Sequence, residues 1–200
     1  MTFLDTGDPV HFNRFAYANN DPINMLDPFG LQACDGVKGG CLEAKNFKPA
    51  KDGTDTVVAP QDVIDAGLKV APSLQGKTEQ GTALNRGTDG TVSGGNASTG
   101  TKNKTGQETA MKVNSTTEAV IHSHPNTSDF NVAPGYESKT KGDHTAVEKG
   151  FPNMITRKGT TVVVEKVNGQ FRVRTVQGKM TRTERNTTKD RLRKFQKAGR

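Results

Sequence analysis

The amino-acid sequence predicts an α+β fold, with a mixed β-sheet and flanking helices. Three observations lead to this class: short apolar stretches of strand length, a tight-turn signal between two of them, and helical patterns before and after the strands. Leu, Ile, Val and Phe supply only 38 of the 200 residues, a fraction close to that of disordered chains. We therefore expect one compact domain of about 120 residues, with long loops, a flexible N-terminal segment and poorly ordered ends.

The first elements follow from apolar spacing and from proline. Pro60 suits the first turn of a helix whose apolar side carries Val63, Ile64 and Leu68, and Pro72 ends that helix. Strand patterns come next along the chain, at 79–85, 91–93, 110–113 and 118–122, with a flexible loop at 94–108.

The last third of the chain has the clearest local signals. Asn168-Gly169 lies between two strand patterns and is typical of a type I′ turn, so it predicts a β-hairpin over 160–176. Residues 184–200 predict a basic helix with Leu192 and Phe195 as its apolar anchors. Together these signals place a helix after the last strand of the sheet.

The positive charge of the chain is concentrated at its C-terminal end. The net charge is +7 overall, whereas residues 157–200 alone hold 14 Lys and Arg against 3 Asp and Glu. Such a region attracts nucleic acid, an anionic membrane surface or an acidic protein, or it only keeps the protein soluble. No apolar run approaches the roughly 18 residues of a membrane span, so we expect no transmembrane segment.

Two histidines that share one strand are the main candidates for chemistry. An apolar strand runs into the sequence His122-Ser123-His124-Pro125, and alternate residues of a strand face the same side, so both imidazoles point into one space. Asp143 follows in the first turn of a helix that we expect to be capped by Thr140 and closed by Gly150. Two His and one Asp can hold Zn²⁺ and leave its fourth position open for water.

The His-x-His pair also has a simpler interpretation, as two surface side chains that bind nothing. Pro125, the Thr-x-x-Asp pattern from Thr140 to Asp143 and an upstream Glu favour the metal site. His144 directly follows Asp143 and, on a helix, points about 100° away from it. We therefore expect His144 to lie behind the ligands or to face solvent rather than to bind the metal.

This pattern resembles the JAB/MPN (JAMM) metalloprotease family, whose signature is a distant Glu, then His-x-His-Pro, then Ser-x-x-Asp. Residues 122–125 match the second part fully, and residues 140–143 match the third with Thr in the Ser position. Residues 150–155 are similar to the strand that follows in toxin members of the family. The resemblance covers about residues 60–177 and implies an α/β/α-like fold.

The resemblance also implies a role for each residue. Zn²⁺ would be held by His122, His124 and Asp143. Glu79, in a Glu-x-Gly pattern like that of the toxin members, would be the general base, and Thr140 would donate a hydrogen bond to the oxyanion. Two weaker candidates for the base are Glu108 and Glu118. In the family the reaction cleaves a peptide or isopeptide bond.

The N-terminal part of the chain resembles a different family. Residues 13–31 are similar to the end of the Rhs (YD-repeat) core, which closes with Asp-Pro-x-Gly-Leu. In that family a β-shell encloses a C-terminal toxin, which an aspartyl self-cleavage releases. The resemblance implies Asp8 and Asp27 as the two aspartates and cleavage after Leu31, although His11 stands where the family has Gly.

The expected organisation has three parts. They are the end of an Rhs core at 1–31, a linker at 32–59 and a metal-dependent toxin domain at 60–200, with a basic tail at 178–200. The two resemblances imply an antibacterial effector that type VI or similar secretion delivers to the target-cell cytoplasm. The partners then expected are an acidic immunity protein, the Rhs shell before release and a target-cell protein. Two alternatives stay open: a metal-dependent nuclease that uses the basic region, and a binding module without catalysis.

Overall fold

The structure is a computed structural model that describes residues 41–43, 55–103, 106–108, 111–127 and 131–199. Asp8, Asp27 and Leu31 lie outside the described residues. The elements in chain order are β1 (Cys41–Glu43), α1 (Gln61–Val70), a 3₁₀ turn (Ala71–Leu74), β2 (Gln80–Arg86), β3 (Val92–Gly94), β4 (Ser98–Thr99), β5 (Thr101–Asn103), β6 (Gly106–Glu108), β7 (Thr117–Ser123), β8 (Tyr136–Ser138), β9 (Lys141–Gly142), α2 (His144–Glu148), β10 (Asn153–Arg157), β11 (Thr160–Val167), β12 (Gln170–Gln177) and α3 (Arg182–Ala198).

A mixed sheet forms the centre of the fold. Its strands follow the order β1-β12-β11-β10-β7-β2-β3, and β4 pairs with the start of β2. β7 and β10 run parallel, whereas their other neighbours in the sheet are antiparallel. A tight turn cannot join parallel neighbours, so the chain crosses over from the end of β7 to the start of β10, and the structure describes residues 124–127 and 131–152 of this crossover. The predicted α+β class and mixed sheet are confirmed.

Helices cover both faces of this sheet. One apolar cluster lies between the sheet and α1, and it contains Ala59, Val63, Ile64, Ala71, Leu74, Leu84, Ala119, Ile121, Met154 and Val163. The cluster on the opposite face, under α2 and α3, contains Val132, Val147, Ile155, Val162, Val164, Phe171, Val173, Met180, Leu192 and Phe195. Because side chains alternate along β7, Ile121 faces α1 and His122 faces the side of α2 and α3.

The predicted hairpin and C-terminal helix are confirmed. Asn168 and Gly169 both have positive φ, 48° and 76°, as a type I′ turn requires. The last helix begins at Arg182, two residues earlier than expected, because Thr181 and Glu184 form a capping box. The helix that follows Pro60 is likewise confirmed, with Pro72 in the 3₁₀ turn that ends it.

Three predictions of local structure are wrong. Residues 111–113 are not a strand but irregular backbone ahead of β7. The stretch 94–108 is not a featureless loop, because β4 pairs with β2 and β5 pairs with β6. The helix expected from Thr140 starts at His144, since Gly142 pairs with β8 and has a φ of +129° that a helix does not allow.

Part of the stretch assigned to the linker contacts the sheet. β1 is an edge strand on β12. Val57 exchanges backbone hydrogen bonds of 2.7 and 2.9 Å with Lys166, and Ala59 is buried in the α1 cluster. Among the described residues, no helix is both long and apolar enough to cross a membrane.

Candidate metal centre

His122 and His124 lie where β7 ends, on the face of the sheet covered by α2 and α3. Both side chains are buried, and their ring centroids are 5.2 Å apart. Nε2 of His122 lies 3.1 Å from Oδ1 of Asp143, and Nε2 of His124 lies 3.4 Å from Oδ2. The two imidazoles therefore approach one carboxylate, as the strand alternation predicts.

Asp143 reaches this point on the crossover between β7 and β10. It is the N-cap residue of α2, yet its side chain makes no capping hydrogen bond, because the carboxylate is turned towards the histidines. The backbone of Gly135 holds it from the other side. The N–H of Gly135 donates to Oδ2 of Asp143 at 2.5 Å, and the C=O of Gly135 accepts from the N–H of Asp143 at 3.1 Å.

A second layer of hydrogen bonds orients the imidazoles. Nδ1 of His124 lies 2.6 Å from the carbonyl oxygen of Asn131, and Nδ1 of His122 lies 3.1 Å from Oδ1 of Asn153. The amide nitrogen of Asn153 donates to the carbonyl of Asp143 at 2.8 Å, which fixes the orientation of that amide. Since both partners of the Nδ1 atoms are acceptors, Nδ1 carries the hydrogen in each ring and Nε2 is directed at the carboxylate.

The donor set fits a divalent cation. The ligand atoms of His122, His124 and Asp143 all lie within 4.8 Å of one another. In a tetrahedral zinc site with bonds of about 2.0–2.1 Å, neighbouring ligand atoms are about 3.3 Å apart. The Nε2 atoms of His122 and His124 lie 3.1 and 3.4 Å from the two different oxygens of the Asp143 carboxylate, so each nitrogen is close to that spacing from one carboxylate oxygen. Two imidazole nitrogens and one carboxylate oxygen are also ligands that zinc accepts.

The charges of the cluster are strongly coupled. Burial alone would lower the pKa of His122, but the Asp143 carboxylate, with a smaller effect of the Glu79 charge, raises it to about 9. Burial alone would raise the pKa of Asp143, but His122 and His124 hold it well below its usual range. Without a metal, the cluster therefore keeps a proton where a cation would sit.

Glu79 lies directly ahead of β2 and is buried. Two residues on, Gly81 pairs with His122, and a Cβ atom on Gly81 would lie 3.0 Å from Cβ of His122 and 3.1 Å from the carbonyl oxygen of Ile121. The Glu-x-Gly pattern therefore has a structural reason, since the glycine leaves room for the histidine. The charge of Glu79 is one of the influences that raise the pKa of His122.

The other predicted residues have contacts with other parts of the chain or lie outside the description. Glu118 forms an ion pair of 2.9 Å with Arg86, and it is four residues, about 13 Å of strand, before His122. The side chain of Glu108 is outside the described part of the chain. Thr140 is exposed in the turn between β8 and β9, where its hydroxyl lies 3.5 Å from Oγ of Ser138.

We expected His144 either to lie behind the ligands or to face solvent, and the structure shows the first. The start of α2 packs against α3 and buries the ring completely. The imidazole stacks on Phe195 with centroids 4.9 Å apart and lies 5.2 Å from the ring of Tyr136. Its Nε2 is 3.2 Å from the carbonyl oxygen of Lys139. His144 is thus part of the core behind Asp143.

Three residues that orient the ligands were not predicted from the sequence. Two of them, Asn131 and Gly135, act through backbone groups, which no residue type reveals. Asn153 did have a signal, because it is a polar residue at the start of a strand whose next three residues are buried. A polar side chain in such a strand usually has a specific hydrogen-bond partner.

Comparison with known proteins assigns no family. No protein-family model matches the chain, and neither the curated proteins nor the solved structures include a significant match. The resemblances to the JAB/MPN and Rhs families therefore rest on the motifs quoted above.

Proposed function

We propose that this chain is a metal-dependent hydrolase with its active centre at the end of β7. The observation that supports this most is the convergence of two buried imidazole nitrogens on one carboxylate, at 3.1 and 3.4 Å. The finer proposal is a JAB/MPN-like zinc peptidase or isopeptidase. Two features support it: the His-Ser-His-Pro stretch at 122–125, and the helix start that places Asp143 against it.

In this proposal His122, His124 and Asp143 hold Zn²⁺. Bound there, the ion would polarise the scissile carbonyl and lower the pKa of a bound water to about 7. Glu79 accepts the proton of the attacking water and passes it to the leaving nitrogen. The resemblance alone assigns the hydrogen bond to the oxyanion to the hydroxyl of Thr140, which lies in an exposed turn three residues before Asp143.

The biological role we propose is that of an antibacterial Rhs effector. The support is the order of motifs on one chain, with the Rhs-like end at 13–31 ahead of the candidate metal centre. Delivery by type VI or similar secretion into the cytoplasm of a target cell follows from that resemblance. The basic C-terminal region favours an acidic immunity protein as the partner that neutralises the effector.

A nuclease is the second candidate, and one observation favours it. Exposed basic side chains lie along α3, among them Arg182, Arg193 and Lys197. Such a surface binds phosphates with an affinity that falls steeply with salt. The same cluster of ligands would then serve the hydrolysis of a phosphodiester.

The two candidates separate in one experiment with purified full chain. The wild type, His122→Ala, Glu79→Gln and the exposed control Asp190→Asn are incubated with bacterial lysate proteins, plasmid and RNA, with and without a chelator. New protein N-termini from the wild type and Asp190→Asn only would support the peptidase, and metal-dependent nicking would support the nuclease. Zinc binding without any cleavage would leave a binding module, and full activity of His122→Ala would refute both proposals.

A further inference from the structure

A short segment of the crossover, residues 131–136, contacts two of the three proposed ligands. We call it the organising segment. At its start, the carbonyl of Asn131 accepts from Nδ1–H of His124 at 2.6 Å. Near its end, the N–H of Gly135 donates to the Asp143 carboxylate at 2.5 Å. The relative position of these two ligands therefore depends on where this segment lies.

Helix α3 binds the organising segment at two points. Oε1 of Glu184 accepts from the N–H of Val132 at 3.1 Å, and Nη1 of Arg191 donates to the carbonyl of Tyr136 at 2.8 Å. Glu184 and Arg191 are seven residues apart, which is two helical turns or about 10.5 Å along the axis. The helix thus holds both ends of the segment.

Apolar contacts reinforce the two hydrogen bonds. Val132 is buried in the same cluster as Leu192 and Phe195 of α3. The ring of Tyr136 lies 6.0 Å from that of Phe195, and the ammonium group of Lys194 is 5.9 Å from the Tyr136 centroid. A shift of α3 would therefore move the segment, and the segment would carry Asn131 and Gly135 with it.

We propose that α3 is a structural part of the metal centre, with Glu184 and Arg191 as its positioning residues. This rests on the metal site in the proposed function but not on the reaction at that site. Arg191 thereby differs from the exposed Arg193 two residues further along the helix. Arg193 forms its ion pair with the equally exposed Asp190. The basic residues of α3 then have two roles. Arg191 positions the organising segment, whereas the exposed ones are available to a partner at the surface.

The test compares Arg191→Met with Arg193→Met in the full chain. Both changes remove one guanidinium group from α3 and keep an unbranched side chain. Co²⁺ titration, followed by absorption, measures metal affinity, and thermal unfolding of the metal-free protein checks the fold. We expect Arg191→Met to weaken Co²⁺ binding about tenfold, an effect typical of substituting residues that orient metal ligands without binding the metal. Arg193→Met should bind as the wild type does.

A second readout needs no metal. The ¹⁵N and ¹H shifts of the His124 ring report its Nδ1–H hydrogen bond to Asn131. We expect these shifts to change in Arg191→Met and in Glu184→Gln, and to stay constant in Arg193→Met. Glu184→Gln also alters the capping box and could prevent folding. In that case the result for Arg191→Met alone decides the test.

The outcomes separate this inference from the proposed function. Wild-type Co²⁺ affinity together with unchanged His124 shifts in Arg191→Met would overturn the role of α3. Tenfold weaker binding in a protein that cleaves nothing would support the role of α3 and refute the hydrolase. Changed His124 shifts in a protein that binds no Co²⁺ would support the positioning by α3 and refute the metal site.

Discussion

The sheet of this protein buries charged groups on both faces, and the two groups differ in how their charge is balanced. On the α1 side, Glu165 and Arg174 are fully buried and form two hydrogen bonds of 2.7 Å. Arg172 adds a third bond to the same carboxylate at 2.9 Å, and the N–H of Ala59 adds a fourth at 2.9 Å. The Glu165 carboxylate thus has permanent cations as partners.

On the opposite face, the groups among the described residues that balance the charge of Asp143 are the imidazoles of His122 and His124. An ordinary imidazole is mostly neutral at pH 7, so the buried carboxylate is balanced only because the pKa of His122 rises to about 9. The first arrangement is balanced by cations of the fold itself, and its hydrogen bonds stabilise the folded chain. The second is balanced by a proton that a divalent cation can replace. That difference, rather than burial itself, distinguishes the candidate site from a structural ion pair.

The largest effect we expect is on the structural pair. Arg174→Met leaves a buried carboxylate with one cation fewer, and breaking such a pair costs about 3–5 kcal/mol of unfolding free energy. Urea denaturation measures it, while zinc affinity of the folded fraction should not change. A loss below about 1 kcal/mol, typical of exposed pairs, would show that the two clusters do not differ as described.

The opposite pattern is expected for Asp143→Asn. The variant keeps the size of the side chain but removes the charge and one ligand oxygen. Zinc affinity should therefore fall by more than about 100-fold, which exceeds the usual effect of substituting a residue that only hydrogen-bonds to a ligand. Isothermal titration calorimetry gives the affinity, and circular dichroism checks the fold. Asp190→Asn is the matched control, and equal zinc affinity of the two variants would contradict the assignment of Asp143.

Zinc affinity should rise with pH. At pH 7 His122 of the metal-free protein is protonated, so a metal must displace that proton, and affinity increases about tenfold per pH unit until pH reaches the pKa near 9. A raised pKa also means that the stability from this proton is full below pH 6.5 and is lost as pH rises to about 9. The melting temperature of metal-free protein should therefore decline over that window. A flat affinity profile would contradict the coupling of His122 and Asp143.

The smallest of these effects concerns Asn153, which contacts both His122 and Asp143. Asn153→Ala removes both hydrogen bonds without touching a ligand atom, so zinc affinity should fall about tenfold. The same titration measures it, with the exposed Asn96→Ala as the control. An unchanged affinity would mean that the strand and the crossover position the ligands without help from this amide.

The sequence predicted the structure correctly where the signal lies in residues that are close together along the chain. The apolar spacing after Pro60, the Asn168-Gly169 turn and the alternation that puts His122 and His124 on one face all depend on neighbours in sequence, and the structure agrees with each. The strand predicted over residues 111–113 is absent, because a short apolar run does not reveal whether a partner strand is available. The predicted start of α2 was too early, because Gly142 pairs with Tyr136 in the strands before the helix.

The contacts made by the crossover could not be predicted from the sequence. Asn131 and Gly135 contribute a carbonyl and an N–H that every residue of their kind has, so only the path of the chain makes them part of the site. The bond from Arg191 to Tyr136 joins residues 55 positions apart. The basic pattern of α3 predicted its charge correctly but did not distinguish this inward arginine from its exposed neighbours.

X-ray absorption at the zinc edge, with zinc stoichiometry on the same sample, tests the metal centre most directly. We predict one zinc per chain, with two imidazole nitrogens and a carboxylate oxygen at about 2.0–2.2 Å, and loss of the carboxylate contribution in Asp143→Asn. A full chain that holds no stoichiometric zinc, or holds it without histidine ligands, would contradict the account.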